Sequence, residues 1–143
     1  MSLRSLKLLL AGSALVTLSG CAVVAKLYDA YFMAKYDSVE YALVNKIRSI
    51  AELGVEDCKD QSKSKDNFEG MYFIAVELKN FTQYIPKNPD ANKLAGNLVD
   101  LTRQGRDQYL KGTPVTETFC KLKLQQINRT SETAQKVIGA KPR

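Results

Sequence analysis

Residues 120–138 read CKLKLQQINRTSETAQKVI, and this stretch decides the fold class. Its apolar and small residues recur at steps of three and four: Cys120, Leu124, Ile127, Ser131, Ala134 and Ile138. Because an α-helix turns once every 3.6 residues or so, residues at these steps share one face. The spacing therefore predicts an amphipathic helix whose apolar face is buried against other helices.

Helical spacing also runs through the first part of the chain. A first helix is predicted over residues 23–53, and Gly54 ends it because glycine enters the left-handed backbone region without a Cβ clash. Two acids at three-residue spacing, Asp37 and Glu40, are expected on the solvated surface of this helix. Its predicted buried face consists of Tyr28, Phe32, Tyr36, Val39, Leu43, Ile47 and Ile50.

The second helix is predicted to follow a polar connection that carries Cys58. Asp66 is the expected N-cap, Glu69 completes a capping-box pattern, and Pro86 ends the helix. The predicted buried stripe is Met71, Ile74, Leu78, Phe81 and Ile85.

Two further helix starts combine a capping residue with a proline. Asn88 and Pro89 begin the third helix, because proline suits the first helical position, where no N–H is needed. Thr113 and Pro114 repeat the pattern for the fourth helix, after Gly112 stops the third. The predicted stripe of the third helix is Leu94, Leu98 and Leu101.

Residues 1–20 have the organisation of a secretory signal peptide. Arg4 and Lys7 supply positive charge, residues 8–18 form an apolar run, and Ser19 and Gly20 are small enough for a signal peptidase. The run is too short to span a bilayer, which needs about 20 apolar residues.

Leu18, Ser19, Gly20 and Cys21 match all four positions of a lipobox, so this N-terminus resembles that of bacterial lipoproteins. The resemblance implies removal of residues 1–20, fatty acyl chains on Cys21 and one helical domain over residues 21–143. Two or three acyl chains hold a protein stably on a membrane. Alanine at position 22 resembles lipoproteins sent to the outer membrane, so the implied location is the outer membrane, facing the periplasm.

Cys58 and Cys120 remain once Cys21 carries the lipid. A disulfide between them is predicted because the implied compartment is oxidising; the alternative is two free thiols, with Cys120 buried. Four amphipathic helices with short connectors predict an all-α, up-down-up-down four-helix bundle. In that topology the helix 1–2 loop meets the start of helix 4, so the topology and the disulfide agree.

The mature chain is mildly basic. Loss of residues 1–20 lowers the net charge from +6 to +4, leaving 19 basic and 15 acidic side chains. In an exported protein this excess favours anionic lipid, lipopolysaccharide or wall polymer, and we expect no nucleic-acid partner. A soluble surface with a small basic excess is the plainer interpretation.

Histidine is absent, which removes the usual general base near neutral pH and the commonest metal ligand. Ser-His-Asp and Cys-His catalysis and Cys/His zinc sites are thereby excluded. The sequence contains no Walker A loop, no G-x-G-x-x-G and no c-type haem motif. We therefore expect no enzyme activity, no catalytic residue, no metal site and no cofactor.

Two groups of residues are weak candidates for partner binding. Tyr31 and Tyr41 lie off the predicted buried face of the first helix, and tyrosine is enriched at interfaces. Lys121, Lys123 and Arg129 form a basic face on the last helix, suited to an anionic partner or to headgroups. The plainer interpretations are ordinary packed or surface aromatics and solvated bases.

Three hypotheses about function follow. The first is a non-enzymatic, membrane-anchored lipoprotein of the cell envelope that binds a protein or another envelope component, as an assembly or secretion accessory. The second is an immunity, exclusion or inhibitor protein acting on a phage, a toxin or a wall hydrolase. The third is a carrier of a small apolar ligand, which would need a roomy apolar cavity between the helices.

Overall fold

A computed structural model describes residues 32–143, which contain four α-helices and no β-strand. A short 3-10 helix, Glu56–Lys59, lies between the first two. The α-helices are Ser38–Leu53 (α1), Gln61–Thr82 (α2), Pro89–Leu110 (α3) and Glu117–Gly139 (α4).

The four helices form the predicted up-down-up-down bundle. Each helix packs on the next along the chain, and α4 returns to pack on α1. Short connections make sequential helices antiparallel neighbours. The largest buried apolar side chains come from all four: Val44 and Ile47 from α1; Phe68, Met71 and Leu78 from α2; Leu98 from α3; Leu124, Ile127 and Ile138 from α4.

The predicted face of α4 is confirmed, because all six of its members are buried. The faces of α2 and α3 are rotated slightly from the predicted stripes. Leu98 is buried, but Leu94 and Leu101 are only partly buried, and smaller residues such as Ala91 and Ala95 fill the interior beside them. Small side chains carried too little hydrophobic signal to set the predicted stripe.

The predicted first helix is not continuous within the described residues. Residues 33–37 are not helical, and α1 begins at Ser38 because Asp37 Oδ1 accepts the N–H groups of Val39 and Glu40 at 2.8 and 3.1 Å. The break changes the helical frame, so Phe32 and Val39 are exposed rather than buried. Tyr28 and the rest of residues 23–31 lie outside the described residues.

Two other predicted caps are also misplaced. Asp60, not Asp66, caps α2, accepting the N–H groups of Ser62 and Lys63 at 3.0 and 3.1 Å. Thr116, not Thr113, caps α4. The start of α3 at Asn88 and Pro89 is confirmed, but the Asn88 side chain makes no capping hydrogen bond and donates to Glu40 instead.

A disulfide joins Cys58, in the α1–α2 connection, to Cys120, in the first turn of α4. The Cα atoms are 5.7 Å apart, and both cysteines are buried. The predicted pairing is confirmed, and it closes a loop over a sequence separation of 62 residues.

We expect Cys58→Ala/Cys120→Ala to lower the free energy of unfolding by about 4 kcal/mol, because a cross-link over this loop length removes entropy from the unfolded chain. Urea unfolding followed by circular dichroism measures the change. The oxidised wild type should lose similar stability in reducing agent, whereas the double variant should be insensitive to it. Equal stability of the oxidised and reduced wild type would contradict the expectation.

The ring of Phe68 on α2 lies against Gly105 on α3. A Cβ atom built on Gly105 would come 2.3 Å from Phe68 Cδ1, and Phe68 is fully buried. Such a contact is far inside van der Waals distance, so only glycine fits at this point of α3.

Gly105→Ala should therefore destabilise the protein by about 1–3 kcal/mol through overpacking. Gly96→Ala is the matched control on the same helix, since its Cβ would meet nothing within 4 Å. That change should stabilise by about 0.5–1 kcal/mol, because alanine is the better helix former. Thermal unfolding of both variants measures the changes in Tm, which should be negative for Gly105→Ala and positive for Gly96→Ala. Two changes of the same sign would refute the packing argument.

Candidate functional site

The candidate surfaces lie at the two ends of the bundle. The entry end comprises residues 33–41, 79–92 and 136–143, where the chain enters α1, α2 turns into α3, and α4 ends. The disulfide end comprises residues 50–64 and 107–123. At 1.5 Å per helical residue, the two ends are roughly 30 Å apart.

The structure separates the predicted partner-binding residues. Lys121 and Lys123 lie at the disulfide end, Arg129 lies midway along α4, and Tyr41 lies in the first turn of α1 at the entry end. They therefore do not form one surface. The predicted lipidation site Cys21 and the candidate Tyr31 lie outside the described residues.

Lys121 and Lys123 make contacts within the bundle. Lys121 Nζ lies 2.5 Å from a carboxylate oxygen of Glu117, and this hydrogen bond lowers the pKa of the Glu117 carboxyl. Lys123 Nζ donates to Gln104 Oε1 at 3.1 Å and lies 5.9 Å from the ring centre of Phe119. Contacts of this kind at a surface contribute little to stability, so a partner could replace them.

Tyr41 is partly buried in the seam between α1 and α4. Its ring centre lies 6.0 Å from that of Tyr36, and its Cε2 atom would lie 3.7 Å from a Cβ on Gly139. Only part of the ring is open to a partner, so packing accounts for most of its surface.

A polar network that was not predicted from the sequence runs along the same contact between α1 and α4. Arg48 Nη1 donates to Gln135 Oε1 at 2.7 Å, and Arg48 Nε donates to Asn128 Oδ1 at 3.2 Å. Gln135 Nε2 in turn donates to Asn45 Oδ1 at 3.0 Å. These partners are 80 to 90 residues apart in sequence, so no local pattern could reveal them.

A buried ionic cluster lies at the centre of the entry end. The carboxylate of Glu40 pairs with the ammonium of Lys141, and its other oxygen accepts a hydrogen bond from Asn88 Nδ2 at 2.8 Å. The side chains of Glu40 and Lys141 are 0% and 3% exposed. The expectation that Glu40 is solvated is therefore wrong, because distant segments of the chain supply its partners.

The segment that leads into α1 is held on both sides. The Ala34 N–H donates to the carbonyl of Lys87 in the α2–α3 connection at 3.1 Å. The Tyr36 N–H donates to the carbonyl of Pro142 in the tail at 2.9 Å, and the guanidinium of Arg143 lies 5.3 Å from the Tyr36 ring centre. These bonds fix the place at which the chain enters the bundle.

Positive charge is concentrated at the entry end. That end holds six basic and three acidic side chains, whereas the rest of the described residues hold 12 basic and 11 acidic ones. The six bases are Lys35, Lys79, Lys87, Lys136, Lys141 and Arg143, and the three acids are Asp37, Glu40 and Asp90. Lys136 pairs at 2.6 Å with Glu132, which lies one helical turn outside this end. With that acid counted, the entry end carries six bases and four acids, a net charge of +2 out of the +4 of the described residues.

Exposed apolar side chains occur at both ends. At the entry end, Tyr84 is 82% exposed, and Met33 and Val39 are also exposed. At the disulfide end the exposed apolar residues are Leu53, Leu110 and Leu122. Concentrations of exposed apolar surface are typical of sites that contact proteins or membranes.

Across residues 32–143, no helix combines the length and the apolar character needed to cross a membrane. The same residues contain no group of three or more Cys, Asp or Glu side chains arranged to hold a metal ion. Comparison of the chain with protein-family models, curated proteins and solved structures finds no match.

Glu40→Gln should destabilise the protein by about 3–5 kcal/mol, because it leaves the buried Lys141 ammonium without a counter-charge. The control is Glu52→Gln, which removes an exposed carboxylate 3.8 Å from Arg48 and should cost less than about 1 kcal/mol. Urea unfolding measures both. Similar small changes in the two variants would show that the Glu40 pair does not hold the entry end.

Proposed function

We propose that this chain is a non-enzymatic lipoprotein of the bacterial cell envelope. Acyl chains on Cys21 anchor it to the outer membrane, and the bundle faces the periplasm and binds another envelope component, most simply a protein. The disulfide end is the partner-binding end.

The observation that carries this proposal is the place at which the chain enters the fold. The first residue of the entry end, Met33, is 12 residues from Cys21, a span of at most about 40 Å. A lipid on Cys21 would therefore hold the entry end within that distance of the membrane. The disulfide end lies roughly 30 Å farther along the helices from this attachment point, which leaves it available to a partner.

The side chains of the disulfide end suit a protein partner. Leu53, Leu110 and Leu122 are exposed there, and Lys121 and Lys123 lie on the same end beside Leu122. Apolar surface supplies binding energy. This end carries five basic and six acidic side chains, so it suits a partner whose charges of both signs are complementary, and such complementarity speeds association. The disulfide holds the helix ends that carry these residues in fixed positions, which reduces the entropy lost on binding.

The packing of the helices supports a carrier of a small apolar ligand less well than it supports a protein-binding function. The ring of Phe68 fills the space beside Gly105 between α2 and α3. A cleft at the entry end, lined in part by Met33, Ala91 and Val137, has a volume of about 110 Å³. Two larger clefts, of about 330 and 340 Å³, are wide open to solvent and do not enclose a ligand; Tyr109 lines the first and Arg48 the second. Sites for drug-sized ligands usually occupy about 300–1,000 Å³ and bury most of the ligand.

A photo-crosslinking residue in place of Leu122 should form one discrete protein adduct in intact envelopes. Lys121→Glu/Lys123→Glu in the same chain should abolish the adduct, because the positive charge on both sides of Leu122 becomes negative. The matched control places the crosslinker at Phe73, which is also exposed but lies midway along α2, and should give no such adduct. Western blotting against a tag on this chain reports the adducts.

The same experiment tests the anchor. Cys21→Ala should release the protein from the membrane fraction and remove the Leu122 adduct, while mass spectrometry of the wild type should find acyl chains on Cys21. Equal crosslinking from positions 122 and 73, or an unmodified Cys21 in the membrane-bound protein, would refute the proposal.

A further inference from the structure

We propose that the entry end is itself a membrane-contact surface that binds the anionic headgroups of a lipid bilayer. The inference rests on the proposed anchor at Cys21, but it assigns a second contact that the anchor does not require. The bundle then rests on the membrane through its entry end in addition to its attachment through Cys21.

Charge complementarity is the first support. Glu40 and Lys141 neutralise each other inside the protein, so Lys35, Lys79 and Arg143 carry charge on the outside of this end. The carboxylates at this end outside the core are Asp37, which caps α1, and Asp90 in the first turn of α3. Each base close to an anionic leaflet raises affinity roughly five-fold.

The exposed apolar residues are the second support. Tyr84 lies in the α2–α3 connection and is 82% exposed, with Met33 in the entry segment and Val39 in the first turn of α1 also exposed. Tyrosine favours the headgroup level of a membrane, where its ring is partly dehydrated and its hydroxyl stays in a polar layer. Basic and aromatic groups together are the composition expected of a surface that rests on headgroups.

The short length of chain between Cys21 and the entry end indicates that the binding partner of this surface is the membrane. With the lipid 12 residues before Met33, the tether keeps the entry end within about 40 Å of the bilayer. A surface held this close to the bilayer needs little affinity of its own for the contact to be populated. The backbone bonds of Ala34 and Tyr36 fix the entry segment on the same end of the bundle.

The test uses a single tryptophan, because the chain contains none. Tyr84→Trp is introduced into the acylated full chain, which is reconstituted into phosphatidylcholine vesicles with or without phosphatidylglycerol. With phosphatidylglycerol, the emission should shift to the blue and be quenched by brominated lipids. In 1 M salt, where the screening length falls to about 3 Å, the shift should reverse while the acylated protein still sediments with the vesicles.

Matched charge variants test whether membrane contact depends on the lysines of the entry end or only on the net charge of the protein. Lys35→Gln/Lys79→Gln should reduce the contact equilibrium on anionic vesicles about 25-fold, whereas Lys59→Gln/Lys63→Gln, at the disulfide end, should leave it unchanged. Leu53→Trp should keep the emission of a solvated indole on both vesicles.

Water-like emission of Trp at position 84 on anionic vesicles would overturn the contact. A shift at position 53 instead, or equal effects of the two charge pairs, would also overturn it. Failure of the acylated protein to sediment with neutral vesicles would count against the anchor alone, so the two proposals fail in distinguishable ways.

Discussion

The arrangement of the bundle depends on the buried ion pair between Glu40 and Lys141. A carboxylate is costly in a protein interior unless both of its oxygens have partners, and here Lys141 and Asn88 supply them. Those partners belong to the tail and to the α2–α3 connection, so the cluster forms only when three distant segments meet at one end. An up-down-up-down arrangement brings them together, because α2 and α4 both end beside the start of α1.

The disulfide acts at the opposite end and by a different mechanism. Cys58 and Cys120 limit the freedom of the unfolded chain, whereas the buried pair favours one arrangement of the folded chain over others. A small helical domain buries a modest fraction of its surface, so constraints at both ends add to a limited hydrophobic core. Both termini of α1 are thereby fixed, one by each constraint.

Sequence alone was sufficient for the architecture because helical periodicity and cysteine positions are strong, independent signals. The face of α4 follows from spacing. The pairing of Cys58 with Cys120 was predicted from the oxidising compartment that the lipobox resemblance implies, and the predicted topology agreed with it. The caps were harder, since Asp60 and Asp66 are equally good local candidates and only tertiary packing selects Asp60. Glu40 could not be placed, because its partners are 48 and 101 residues away. Lys121 and Lys123 could be proposed as a basic face, but their separation from Tyr41 depends on the topology.

The even number of helices in the bundle links the fold to the proposed function. An even number of antiparallel helices places the start of α1 and the end of α4 on the same side. The segment that leads into α1 and the tail therefore share the entry end, and the α1–α2 and α3–α4 connections share the other. The disulfide cross-links these two distal regions, because Cys58 lies in one connection and Cys120 follows the other. A partner surface built there is pre-organised covalently, without any contribution from the membrane. Under the proposed arrangement, the membrane and the partner therefore act on opposite ends of a rigid spacer, whose helices set the distance between them at roughly 30 Å.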